Sequence, residues 1–266
     1  MAPNALLPTL PLRPLGGLTA LLLALLAAPH AEARSLAQIK ASGVLRVATT
    51  GDMPPFSLVS GGRYSGFEPE LIEALASSLG VRVVYETVRG DQFTRLLQED
   101  QVDAAIGAQA ITSTRENKVD FTSPTVCAGV SVASMNPSLQ KHTDLAGKTI
   151  AVSAGSVMQA YVQKLPFEKK VNVYPTVNDV VYAVISRSAD ATFAYRVMEP
   201  AFKKMLPKAN LSFGPELWSV PIGIMVRQED DSTRLALNAG LARFMQSGGY
   251  AALSLKHFGR DMRCTS

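Results

Sequence analysis

Cysteine and histidine are scarce in this chain: two of the first, Cys127 and Cys264, and three of the second. None stand at metal-ligand spacing, so no metal site is expected. Charge is sparse as well. Asp, Glu, Lys and Arg make up 18% of the residues and are mixed in sign, which sets the chain apart from disordered sequences. The formal net charge is +4, yet Lys and Arg are scattered, and aromatics are only 7%. A nucleic-acid-binding surface would need a basic stripe with interleaved aromatics, so no nucleic-acid partner is expected. There is no short-period repeat, no low-complexity segment, no nucleophile–base spacing and no cofactor fingerprint.

One apolar run stands out, near the start. Arg13, then Leu18 to Ala28, then Ala31-Glu32-Ala33 have the order of a secretory signal: positive, apolar, small-x-small. The alternative is an uncleaved anchor, although the run is short for a bilayer span. No Cys at the cleavage site offers a lipid attachment. Residues 1–33 are therefore read as a signal peptide, and the mature protein as a periplasmic or exported monomer. Export opens two readings of Cys127 and Cys264, a long-range disulfide or two buried thiols, because an oxidising compartment permits the bridge without requiring it.

The chain as a whole is rich in apolar residues, 47% of 266, enough for one large core or two modest ones. Strand-like runs alternate with amphipathic ones. Val44 to Thr50 and Val81 to Val88 read as strands, flanking a helix with Pro69 in its first turn and Leu71, Ile72, Leu75 and Leu79 on one stripe. Gly51 to Pro55 reads as a loop, Asp91 as the cap of a short helix, and Val102 to Ile106 as the next strand. An extended segment, Cys127 to Met135, leads to a second alternation: strands Thr149 to Val152, Val171 to Tyr174 and Ala191 to Tyr195, with helices from Ser156 and over Asp179 to Ile185. Val220 to Val226 reads as one extended return. Alternation of this kind predicts an α/β chain with mainly parallel sheets flanked by helices. Two extended crossings predict two lobes on a two-segment hinge, residues 34–130 with 224–266 and residues 131–223. Ligands bind at the carboxyl ends of such strands, where Thr50, Asp52, Gln109 and Ala110 fall.

Asp103-Ala104-x-Ile106, followed by Ile111-Thr112-x-x-Arg115-x-x-x-Val119-Asp120-Phe121-Thr122-x-Pro124, resembles the bacterial extracellular solute-binding proteins of family 3. Val44 to Thr49 with Pro55-Phe56, Gly66-Phe67-Glu68-x-Glu70, and Leu145 to Val152 extend the likeness over nearly everything after residue 40. The resemblance implies a two-lobed periplasmic-binding-protein fold (type II) that serves an inner-membrane ABC permease. It also implies that Arg115 grips the carboxylate of a small anionic ligand. Without the resemblance, Arg115 reads as a solvated charge on a turn.

Elsewhere the sequence departs from the amino-acid-binding pattern. Tyr195 stands where those proteins place an acid for the ligand's α-amino group, Ala110 where they place a small hydroxyl, and Gly90 near a stacking aromatic. The expected ligand is thus an organic acid, or an amino acid whose amine is held by another acid such as Asp52. Ser153-Ala154-Gly155-Ser156 reads either as an anion site at a helix start or as a plain capped turn. Thr49-Thr50-Gly51-Asp52 with Pro55-Phe56 also resembles the opening of cyclohexadienyl dehydratases, which act on prephenate or arogenate. Glu199 lies one position away from their acidic residue. The non-catalytic receptor is the expected function, the dehydratase-like enzyme its alternative.

Overall fold

The computed structural model describes residues 34–264. The expected signal peptide, residues 1–33, lies outside the described residues. In chain order come β1 (Val44–Thr49), a small sheet of β2 (Asp52–Met53), β3 (Ser57–Ser60) and β4 (Arg63–Ser65), then β5 (Arg82–Thr87), β6 (Ala104–Ile106) and β7 (Val119–Phe121). The nine-residue β8 (Val126–Ser134) leads into β9 (Thr149–Ser153), β10 (Lys170–Tyr174), β11 (Ala191–Tyr195) and β12 (Ser212–Phe213). The return is made by β13 (Trp218–Ile222) and β14 (Met225–Arg227).

The strands form two larger sheets. One has the order β5-β1-β6-β14-β7; the other has β10-β9-β11-β8-β12, with β13 also paired to β8. In each, three strands run parallel and the crossing segments add antiparallel partners. The core strands are largely buried, as helix-covered sheets require: β6 buries all three of its side chains and β1 four of six.

The same device sets the strand register in both sheets. Asp103, just before β6, accepts the Arg46 backbone N–H (2.7 Å) and donates its own N–H to the Arg46 carbonyl (2.9 Å). Asp190, just before β11, does the same with Thr149 (2.7 and 2.8 Å). Both Asp-Ala pairs therefore staple a strand to its parallel neighbour. Asp103 is also ion-paired with Arg46 (2.7 Å) and Arg34 (3.0 Å), which compensates the burial of its carboxylate.

Several local expectations need correcting. Asp52 is in β2, paired to Leu58, and not in a loop. Asp91 lies inside a 3₁₀ turn, Gly90–Gln92, so it does not cap the helix Phe93–Gln98 that comes next. The return crossing is two strands, broken at Gly223-Ile224, because β13 belongs to one sheet and β14 to the other. A side chain at Gly223 would have its Cβ only 3.0 Å from Ile111 Cδ1, so the break passes close under the neighbouring segment. After the helix Asp231–Gln246 a further helix, Gly249–Phe258, packs Tyr250 and Leu253 inward. Cys127 in β8 is disulfide-bonded to Cys264, and the Cys127 N–H donates to the Met262 carbonyl (2.9 Å). The tail after the final helix is thus tied to the first crossing strand.

Candidate functional site

A cavity of about 430 Å³ lies between the carboxyl ends of the two sheets, within the roughly 300–1,000 Å³ range of small-molecule sites. Thr50, Asp52, Gln109, Arg115, Ser153, Ser156 and Tyr195 all line it. Ala110 does not: its side chain is buried elsewhere, and its carbonyl accepts Arg115 Nη1 (2.8 Å).

Arg115 is placed by the short helix Ser113–Glu116, capped by Thr112. Its Nη2 donates to the Gly155 carbonyl, just after β9 of the other sheet (3.0 Å). Two of five N–H groups are thereby engaged among the described residues, and the rest of the planar fork is available to a carboxylate. Desolvation lowers the guanidinium's pKa from its ordinary value, but an arginine keeps its charge at any physiological pH.

Asp52 is buried, 8% exposed. Its Oδ2 accepts the Val177 N–H at the start of the helix Val177–Ile185 in the second lobe (2.9 Å). Among the described residues its Oδ1 has no partner, and neither does Thr50 Oγ1. A buried carboxylate oxygen without a donor is costly unless a ligand supplies one. Both orphaned oxygens belong to residues of the cavity wall.

Gly107 to Gln109 forms the floor between these groups. At Gly107, φ is +151° and a Cβ would approach Phe93 Cε2 at 3.2 Å, so the position excludes a side chain. Ala108 comes next with φ +50°, unusual for a residue other than glycine. Both ends of it are held. Glu68 takes its N–H (2.9 and 3.0 Å), and the Tyr195 hydroxyl donates to its carbonyl (3.0 Å) from the other lobe. Gln109 Nε2 bonds back to the Gly107 carbonyl (2.9 Å) and so braces the turn. Tyr195 therefore faces the cavity with its hydroxyl already committed.

The Ser153–Ser156 turn is a capped turn and not an open anion cradle. The N–H of Ala154 goes to the Tyr174 carbonyl (2.8 Å), that of Gly155 to Gln159 Oε1 (2.8 Å), and that of Ser156 to the Ser153 carbonyl (3.3 Å). Ser156 Oγ caps the seven-residue helix Val157–Gln163. Glu199 is outside the cavity wall, ion-paired with Arg196 (3.0 Å) and Lys203 (2.8 Å).

Glu68 was legible only as part of a motif, and the structure gives it a task. It sits in the first turn of the helix Phe67–Ser78, 4% exposed. Burial raises its carboxyl from 4.5 to about 7, against the lowering pull of the Ala108 and Gly107 N–H groups. A folded-state pKa above the unfolded one means that the native protein binds the extra proton. The resulting stabilisation is complete below the unfolded pKa of 4.5 and lost as pH rises through about 7. At 1.36 kcal/mol per unit, the full effect is about 3 kcal/mol. Denaturant melts at about pH 5 and about pH 8 should show wild type losing about 2–3 kcal/mol more than Glu68→Gln over that interval. Equal losses would mean that Glu68 does not titrate in this range.

The family model described as bacterial extracellular solute-binding proteins, family 3, matches residues 45–260. An L-cystine-binding protein of Escherichia coli is 25% identical over 231 residues, 85% of this chain and 87% of its own length. A cyclohexadienyl dehydratase of Pseudomonas aeruginosa is 26% identical over 237 residues, 83% and 88% of the two lengths. The solved structure of an ancestral arginine-binding protein bound to arginine superimposes with a TM-score of 0.78 at 30% identity, covering 82% of this chain and 99% of that one. Relatives at this distance thus include both binding proteins and an enzyme. Among the described residues no helix is long and apolar enough to cross a membrane. The chain belongs to the bacterial extracellular solute-binding proteins, family 3, and has the two-lobed fold of their amino-acid-binding members.

Proposed function

We propose that this protein is a periplasmic receptor that closes on a small carboxylate-bearing ligand, an amino acid, and delivers it to an ABC permease of the inner membrane. The lobes are taken as residues 34–130 with 224–266 and residues 131–223. One observation carries the reading: Arg115 and the unpartnered Oδ1 of Asp52 line the same cavity. A guanidinium for the carboxylate and a carboxylate for the ammonium match a zwitterion at both ends. Asp52 here takes over the task that family resemblance assigned to the place of Tyr195.

The dehydratase alternative needs an acid poised over the substrate. Glu199 is held by two cations outside the cavity, which leaves Asp52 as the acid to consider.

Thermal shift separates these readings. A ligand at a hundred times its Kd adds about 2.7 kcal/mol to the folded state, roughly 5–10 °C for a chain of this size. An amino acid should raise the melting temperature more than the same molecule without its amino group, and Asp52→Asn should erase that difference. Equal shifts in wild type would favour an organic acid. Turnover of prephenate or arogenate would establish the enzyme.

A further inference from the structure

The two lobes contribute unlike walls to the cavity. The first brings its charged and amide groups, Asp52, Arg89, Gln92, Gln109 and Arg115. The second brings hydroxyl groups, of Ser153, Ser156, Thr176, Thr192 and Tyr195, and a cluster of apolar side chains from three separate elements: Met158 from the helix Val157–Gln163, Val180 and Val181 from the helix Val177–Ile185, and Met198 and Phe202 from the segment after β11. Met158, Val180, Met198 and Phe202 are buried, while Val181 is half-buried.

The inventory of charge is short. Among the described residues, Asp52 is the one carboxylate of the cavity wall, and Arg89 and Arg115 are its cations. Arg89 is turned to Asp91, 3.1 Å away, which pairs its charge. If Asp52 and Arg115 hold the ammonium and carboxylate of the ligand, no acid is left for a lysine or arginine side chain. No unpaired base is left for a glutamate. A charged side chain directed at Met158, Val180, Val181, Met198 and Phe202 would face methyl, thioether and phenyl groups with no counter-ion among them.

We infer that this cavity selects amino acids with uncharged, apolar side chains, and that Met158, Val180, Val181, Met198 and Phe202 set that preference. The inference rests on the amino-acid reading above and goes beyond it, to the side chain. Each methylene added to the ligand, until the chamber is filled, gains about fourfold in affinity from burial. The volume of about 430 Å³ leaves room for a side chain well beyond that of alanine.

The test is calorimetric titration of the full mature protein with alanine, valine, leucine, methionine, phenylalanine, arginine, lysine and glutamate. Affinity should climb from alanine through valine to the larger apolar members. The tightest of these should exceed arginine, lysine and glutamate by at least about tenfold. A charged amino acid binding tightest would overturn the side-chain inference and leave the amino-acid reading standing. Failure of every amino acid to bind would overturn that reading, and the inference with it. Val181→Asp gives a second readout at a half-buried position. It should weaken the preferred apolar ligand by at least about tenfold and raise the affinity for lysine or arginine. Unchanged selectivity in that variant would take Val181 out of the chamber and count against the assignment.

Discussion

Arg115→Ala is expected to weaken ligand binding by roughly 30- to 900-fold, about 2–4 kcal/mol, measured by titration calorimetry. Two losses combine in that figure. The ligand carboxylate would lose a charge-assisted bidentate partner. The closed arrangement would also lose the bond from Arg115 Nη2 to the Gly155 carbonyl, which joins one lobe to the other. Arg115→Lys separates the contributions, because it keeps the charge and loses the fork. It should fall between wild type and the alanine variant. An alanine variant within about twofold of wild type would remove Arg115 from the ligand site.

The second large effect concerns stability. Cys127 and Cys264 are 137 residues apart in sequence. On the chain-entropy picture, closing so long a loop restrains the unfolded state by about 5 kcal/mol, and removing native bridges typically costs about 2–5 kcal/mol. The double variant Cys127→Ser with Cys264→Ser should therefore unfold about 4–20 °C below the oxidised wild type. Neither cysteine lines the cavity, so affinity measured well below the melting temperature should be nearly unchanged. A double variant as stable as wild type would show that the bridge carries no stability. Labelling of denatured wild type without reductant should find no free thiol; two free thiols would show that the bridge is absent.

The sequence made the elements legible because their signals are local. Val44 to Thr49 and Ala191 to Tyr195 are strands over nearly the spans that their side chains announce. Ser156 caps a helix because a short hydroxyl before an apolar run can reach the next free N–H. Arg115 stands in a motif that also carries structural residues, Asp103 above all. The misses have one physical source, since a polar group is available to a ligand only if no distant neighbour claims it. The turn Ser153–Ser156 reads either way from the sequence, which does not show that Tyr174, Gln159 and Ser153 take the N–H groups of Ala154, Gly155 and Ser156. Asp52 is named from the sequence as an acid for the ligand's amine, but the sequence does not show that Val177 holds one oxygen and leaves the other without a partner among the described residues. Glu68 gave no local sign of its task, because Ala108 is forty residues away. The split of the return crossing likewise depends on which sheet each half joins, and its local pattern of apolar residues does not record that.

Among the described residues, hydrogen bonds from Arg115 to Gly155, from Val177 to Asp52 and from Tyr195 to Ala108 join the two sides of the cavity. A ligand gripped by groups from both lobes would add to them and favour the closed state over the open one. Small-angle scattering of the mature protein, with and without saturating ligand, measures that closure directly. The radius of gyration should fall on binding, with the ligand recovered unchanged afterwards. An unchanged radius at saturation would contradict closure on the ligand, and recovery of a transformed product would contradict the receptor itself.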